Sequence, residues 1–428
     1  MDATNHILLA ANLLIYTITF ILYQRKHDYL STGSLYLLYT IFTCILAWIC
    51  FATPNSFYRF NDLTLFPFIY LYIGLMLFIL PVLKFDEKHT ELIQPTHRAF
   101  DMLCIFVILM GLIQVVDVVH SFQEGIGSMI WDIRSGAELY SDTRSNADTS
   151  GEGISNIYAI IGGSFSHLVI LFAFIHLTRD KINYLIVAGL LLCFAIDLMA
   201  SIANGSRGNT VLKCITVVFA FWLTRHWMQQ HIRRRIGALL IGIIIAVSIP
   251  IIMITIGRFS DRSSMDKAAS NSIIYYSGQS MLNFDNYCLN AGGIRYGDRT
   301  ANLLKRIYDP STPKNYIQRR AKYSNLKIDD YYFYTHVGDF TLDYGPLWGM
   351  VIIIALTILF IALTKTNEGK IPFHKLIILY FVLCINCQGL MYLFSFSDTG
   401  GGLQIITTIL SYFYFKFDYM HSRQLIKI

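Results

Sequence analysis

Residues 64–83 read Thr-Leu-Phe-Pro-Phe-Ile-Tyr-Leu-Tyr-Ile-Gly-Leu-Met-Leu-Phe-Ile-Leu-Pro-Val-Leu, without one charged side chain. At 1.5 Å of rise per residue a helix of this length covers about 30 Å, the hydrocarbon thickness of a bilayer. Lipid offers the backbone no hydrogen-bond partners, so such a run crosses as a helix. Comparable apolar blocks recur near residues 3–23, 33–52, 99–120, 156–177, 183–203, 209–224, 236–256, 346–364, 375–394 and 403–418. Together they predict eleven spans. The composition agrees: of 428 residues 54% are hydrophobic and 14% charged, where soluble domains carry roughly 25% charged residues. The expected fold is one all-α polytopic transmembrane domain over residues 1–428.

Eleven spans put the termini on opposite sides. About seventeen Lys and Arg residues fall after odd-numbered spans, around Arg25, Lys84, Arg179, Arg225 to Arg235, Lys365 and the tail. The short segments opposite hold Arg59, Arg134, Arg144 and Arg207. The positive-inside rule therefore places the N-terminus outside and the C-terminus in the cytoplasm. Asp2 and His6 precede the first span where a signal peptide would carry basic residues, so it reads as a retained span. The net charge of +6 follows from the loop bias and calls for no nucleic-acid partner.

Two external segments are large, 121–155 and 257–345. In the first, Trp131, Arg134 and Glu138 share a helical face ahead of a polar run. In the second, Ile273, Ile274, Ser277, Met281 and Phe284 recur at helical spacing, suiting an amphipathic helix on the membrane surface or over a cavity. Leu303 to Tyr308 forms a second, short basic stretch. The rings of Tyr331, Tyr332, Phe333 and Tyr334 suit either the membrane interface or stacking on sugars. No pair of matched, Gly/Pro-broken spans marks an internal repeat, which counts against a secondary transporter. Cys384 and Cys387 form a C-x-x-C inside a span, but without a second pair or a histidine cluster they do not make a metal or redox site.

Three patches carry candidate chemistry. Asn204-Gly-Ser-Arg-Gly-Asn209 is a hairpin between two spans, and Gly205 and Gly208 flank Arg207 there. Glycines that expose main-chain N–H groups, a guanidinium and the following helix N-terminus suit an anion such as a phosphate. A snorkelling arginine in a tight turn is the other reading. Below the hairpin, Asp197 and Lys213 lie at similar depths on adjacent spans and can pair, structurally or beside a hydrated pocket. The second patch is Arg258 and Arg262, one helical turn apart, which can hold a second phosphate or anchor a span end. The third closes the large loop. His336, with an ordinary pKa near 6.5, suits a general base, and Asp339 or Asp343 can orient or replace it. Alternatively Asp343 caps the ninth span, with Pro346 in its first turn.

The hairpin Gly205-Ser206-Arg207-Gly208, together with Asp343-Tyr344-Gly345 and Gly349 at the end of a long external loop, resembles the O-antigen polymerase (Wzy-type) and oligosaccharide repeat unit polymerase family. The resemblance extends over the chain in topology, through few and short motifs. It implies a GT-C-like glycosyltransferase in the bacterial inner membrane, with its periplasmic loop at 257–345 over a lipid-lined cavity. It would transfer a growing glycan from undecaprenyl diphosphate to the next lipid-linked repeat unit. Arg207, and then Arg258 and Arg262, would hold the substrate diphosphate with Gly205 and Gly208. His336 would be the base, in a Thr-His-Val setting that departs from the Thr-His-Asn of related ligases, and Asp343 stands beside it as a catalytic candidate. The implied partners are lipid-linked oligosaccharides, membrane lipid and a chain-length regulator, with no cofactor and no metal. An O-antigen ligase, a capsule polymerase and a flippase for lipid-linked sugars are the alternatives.

Overall fold

The computed structural model describes residues 2–53, 60–113, 115, 118–120, 122, 123, 154–203, 207–259, 265–391, 393 and 395–426. Nearly all of the expected loop at 121–155 lies outside them, as do Gly205 and Arg262. The helices are α1 Asp2–Gln24, α2 Thr32–Ala52, α3 Leu65–Leu83, α4 His97–Leu112, α5 Ile154–Leu177, α6 Tyr184–Ala203 and α7 Arg207–Thr224. They continue with α8 Gln230–Phe259, α9 Met265–Tyr287, α10 Asn302–Tyr308, α11 Tyr316–Lys322, α12 Thr335–Thr364, α13 Phe373–Gly389 and α14 Asp398–Ile426. The described residues also include two three-residue strands, β1 Glu91–Ile93 and β2 Lys370–Pro372, and two 3-10 turns, Arg225–Trp227 and Cys288–Asn290.

Each of the eleven expected stretches overlaps a helix, although those at 99–120 and 375–394 run past the helix ends at Leu112 and Gly389. Among the described residues five helices are long and apolar enough to cross a membrane: Ala3–Gln24, Thr32–Ala52, Leu65–Leu83, Tyr184–Ala203 and Thr335–Thr364. Ile160–His176 and Phe373–Gly389 are apolar but shorter. The protein is thus all-α and built for a membrane. The side-chain distribution on α1 makes the point physically. Asn5 and Asn12 are buried, while Ile7, Leu14 and Leu22 are exposed. Water would favour the reverse; a hydrocarbon surround favours polar side chains inward and aliphatic ones outward.

The chain divides into two compact units. One comprises Met1–Glu91, Ile273–Ile371 and Lys375–Ile409, and the other Leu92–Ser272, Pro372–His374 and Leu410–Ile428. In the second, Phe100, Phe172, Phe373 and Phe415 form an edge-on aromatic cluster, with centroids 4.7 Å apart for Phe373 and Phe415. Asp197 on α6 meets Lys213 on α7 at 2.7 Å, the pairing expected from their equal distance to the turn. Lys213 also donates to the Ser201 hydroxyl at 2.7 Å and the Asp197 carbonyl at 2.9 Å.

In the first unit α1, α2 and α3 pack with α12. The expected ninety-residue loop is more ordered than its polarity suggests. Its helical stretch around Met281 and Phe284 belongs to α9, and both side chains are buried. Met281 receives contacts from Asn12 and Cys44, so this face of α9 is covered by α1 and α2 and is not laid on a membrane surface. α10 matches the short basic stretch expected at Leu303 to Tyr308. α12 begins at Thr335, ahead of the span expected from 346, and breaks at Gly345, where φ is +80°. Only glycine adopts that angle without strain, and Pro346 then opens the apolar half of the helix.

Candidate functional site

The polar segment 288–334 is folded around arginines, not around an apolar core. Arg295 lies in a turn whose backbone N–H donates to the Leu342 carbonyl at 2.8 Å, which sets the segment directly on α12. Its guanidinium is 2% exposed and meets four groups. Nη1 donates to Asp330 at 2.5 Å and to the Tyr334 hydroxyl at 2.9 Å. Nη2 reaches Asp339 at 3.3 Å, and Nε lies 2.8 Å from Asp343 Oδ1. Arg299 donates to the Tyr334 hydroxyl at 2.6 Å and pairs with Asp339 at 3.1 Å. Arg319, from α11, bridges Asp330 to Asp398 at the start of α14.

Two of these carboxylates also hold the backbone. Asp343 Oδ2 accepts from the Thr300 N–H and hydroxyl, each at 2.7 Å. Asp339 Oδ2 accepts the Leu393 N–H at 2.6 Å. The four aspartates outnumber the three arginines by one, and Asp298, held by Lys305 and by Lys322 at 2.8 Å, returns that charge beside them. Burial alone would push Arg295 down, but the fields of Tyr334, Asp343, Asp330 and Asp339 outweigh it and hold the guanidinium above its ordinary value. Burial likewise opposes ionisation of Asp330, and Arg295, Arg299 and Arg319 overcome it and hold the carboxyl well below the usual range. Arg295 and Asp330 are therefore held in their charged forms, whereas burial pushes the Asp339 carboxyl up against the pull of Arg299 and Arg295. The pairing offsets part of the desolvation that an unpaired buried ion would suffer.

Three non-glycine residues with positive φ border this network: Tyr296 at +55°, Thr335 at +67° and Asp398 at +58°. Such angles cost about 1–3 kcal/mol each and persist only where surrounding contacts over-determine them. Here those contacts are visible. Thr335 N–H donates to the Met391 carbonyl at 2.6 Å, and Asp398 N–H to the Arg299 carbonyl at 3.0 Å.

His336 stands two residues beyond Tyr334 and is fully buried. Its Nδ1 lies 3.0 Å from the Gly389 carbonyl, so Nδ1 carries the hydrogen and Nε2 holds the lone pair. Nε2 has no hydrogen-bond partner. Any side chain at 389 would strike the ring, since a Cβ there would sit 2.4 Å from Nδ1. Phe78 packs edge-on against the imidazole with centroids 5.0 Å apart. Tyr334, expected at a membrane interface or against a sugar, is instead buried between Arg295 and Arg299. Its hydroxyl satisfies two guanidinium groups, which a lipid or sugar face would leave unpaired.

Asp343 thus sits inside the ion network, while Arg207 and Gly208 open α7 and Arg258 ends α8. The two catalytic candidates and the network belong to the first unit; Arg207, Gly208 and Arg258 belong to the second. The network residues Arg295, Arg299, Arg319, Asp330 and Asp398 escaped the sequence reading. Their only local signal is the clustering of Arg and Asp within a polar segment of a chain that is otherwise 14% charged.

An open cleft of about 460 Å³ lies beside the network, lined by Ile317, Arg320, Tyr323, Lys327, Asp329 and Tyr332 among others. Arg320 pairs with Asp329 at 2.8 Å and lies over the Tyr331 ring. Planar rings with adjacent fixed donors and acceptors suit a polyhydroxylated ligand. Among the described residues no group of three His, Cys, Asp or Glu side chains is arranged to hold a metal ion. All eight cysteines are free thiols. No family model, no curated protein and no solved structure matches the chain.

Proposed function

We propose that the protein polymerises lipid-linked oligosaccharide repeat units at the outer face of a bacterial inner membrane, as an eleven-span, GT-C-like glycosyltransferase. One observation carries the reading: a polar, tyrosine-lined cleft lies on a folded segment that buried charges fasten to the membrane helix α12. A saccharide needs such a polar platform, and a polyprenyl carrier needs the adjacent apolar helices. In the reaction an acceptor hydroxyl attacks the anomeric carbon of the donor glycan. The bond from that carbon to the diphosphate oxygen breaks, undecaprenyl diphosphate departs, and the hydroxyl proton passes to a base.

Arg207, Arg258 and Arg262, with the Gly205 and Gly208 backbone, would take the diphosphate and its developing charge. For the base, the geometry favours His336 over Asp343. Both oxygens of Asp343 are engaged by Arg295 and Thr300, whereas His336 Nε2 holds a lone pair and has no partner. His336 meets a substrate hydroxyl only when its packing against Phe78 opens.

The test is the banding of surface polysaccharide in cells with and without the gene. A polymerase deletion leaves single repeat units on the lipid core, and restoring the wild-type chain restores the ladder. A bare core would make the protein a ligase instead, and loss of repeat units from the outer leaflet would make it a flippase.

A further inference from the structure

The helix α10, Asn302–Tyr308, turns one face to the protein, and its opposite face is exposed among the described residues. Asn302 is buried and donates to the carbonyls of Asp298 and Pro313, both at 2.8 Å. Leu303 packs on Gly402 of α14, and Arg306 donates to the Thr399 hydroxyl at 2.7 Å. At positions i, i+3 and i+4 of the other face stand Leu304, Ile307 and Tyr308, exposed by 64%, 77% and 75%. A water-facing helix would place charges there. Its two charges, Lys305 and Arg306, are instead drawn to Asp298 and Thr399.

The level of this helix follows from its neighbours. Thr300, two residues before α10, donates to the Tyr344 hydroxyl at 3.1 Å. Three and four residues further along α12 come Leu347 and Trp348, exposed by 72% and 62%, at the first turn of its apolar half. Tryptophan at the end of an apolar span marks the boundary between headgroups and acyl chains. α10 is tied to that same boundary.

We propose that α10 is an in-plane membrane helix whose Leu304, Ile307 and Tyr308 side chains insert into the headgroup and acyl boundary, seating the polar segment 288–334 on the bilayer. Lipid is the occupant because the Thr300–Tyr344 hydrogen bond ties α10 to the start of the apolar half of α12, which itself exposes Leu347, Val351, Ile354 and Ile358 as a membrane-crossing helix does. A second copy of the chain is the poorer fit, since three side chains fall far below the roughly 20–30 residues per side of a stable protein interface. The inference does not depend on the polymerase reading.

The experiment uses the full-length protein in phospholipid vesicles. Leu304→Cys and Ile307→Cys are labelled with an environment-sensitive fluorophore, and Ser324→Cys in the cleft serves as the water-facing comparison. Seven of the eight native cysteines are buried, and the unsubstituted chain supplies the background. The expected result is a blue-shifted emission at 304 and 307 that is quenched by lipids carrying a nitroxide near the headgroup, with less quenching by lipids labelled deep in the chain. The label at 324 stays red and unquenched. A water-like, unquenched emission at 304 and 307 overturns the proposal. So does a blue shift without lipid quenching accompanied by cross-linking between copies, which would assign the face to a dimer.

Discussion

Arg295 Nε lies 2.8 Å from Asp343 Oδ1, with both side chains shut off from solvent. This contact joins a loop arginine to the helix that crosses the membrane. Removing one partner of a buried pair leaves an uncompensated charge and costs about 3–5 kcal/mol. Arg295→Met takes a guanidinium from Asp330, Asp339 and Asp343 at once, leaving Arg299 and Arg319 to hold the first two and none on Asp343, whereas Asp343→Asn leaves two carboxylates on Arg295. The first should therefore lower the thermal unfolding temperature more than the second. It should also open the segment to trypsin at the exposed Lys314, Arg320 and Lys327. Equal proteolytic resistance in wild type and Arg295→Met would show that the network does not hold the segment.

A second prediction concerns pH. Asp285, near the end of α9, accepts the Thr64 N–H that precedes α3, at 3.1 Å. Burial pushes its carboxyl from 3.8 up to about 7, against the hydrogen bonds from Thr64 and Asn286. A folded-state value above the unfolded one means that the folded form holds the proton more tightly. The associated stability is fully present below about pH 4 and is lost as pH rises through about 7. Asp285→Asn keeps the acceptor oxygen and removes the ionisation. Thermal unfolding followed between pH 5 and 8 should fall less steeply in the variant, and identical slopes would exclude Asp285 as the titrating group.

The pair Asp197 and Lys213 offers a third prediction in the other unit. Separate replacement, Asp197→Asn or Lys213→Met, leaves one charge among apolar helices, while the double change removes both. Coupling between groups in contact amounts to about 0.5–3 kcal/mol. The double variant should be more stable than the sum of the two single losses allows, as read from unfolding in detergent. Strict additivity would mean that the 2.7 Å contact contributes nothing.

The residues divide by how their structure is encoded. Apolar runs are local signals, so the helices at 65–83 and 184–203 were readable from composition alone. Pro346 was readable as the first turn of an apolar helix, but the helical stretch from Thr335 to the break at Gly345 was not. Asp197 and Lys213 were paired from their distance to a shared turn. No comparable rule connects Arg295 to Asp330, Asp339 and Asp343, which stand 35, 44 and 48 positions away. Their convergence depends on the path of a loop. The same blindness misassigned Tyr334, since aromatic character does not say whether a hydroxyl will find two guanidinium groups. Polar segments in membrane chains thus carry their structure in long-range ion pairs, where periodicity is silent.

The last prediction separates chemistry from architecture at His336 and Asp343, two helical turns apart on α12. His336 touches the fold through one contact to Gly389 and through ring packing, so His336→Gln keeps a hydrogen-bonding side chain without an imidazole base. If His336 takes the acceptor proton, this variant should remain resistant to trypsin and yet leave single repeat units unpolymerised. General bases contribute about 10²–10⁴-fold to rate, a loss large enough to abolish the ladder. Asp343→Ala should behave differently, losing the ladder and the protease resistance together, because its carboxylate holds Arg295 and Thr300. A stable His336→Gln protein that still makes long chains would remove the histidine from the mechanism, and a protease-resistant Asp343→Ala protein without a ladder would transfer the role to the aspartate.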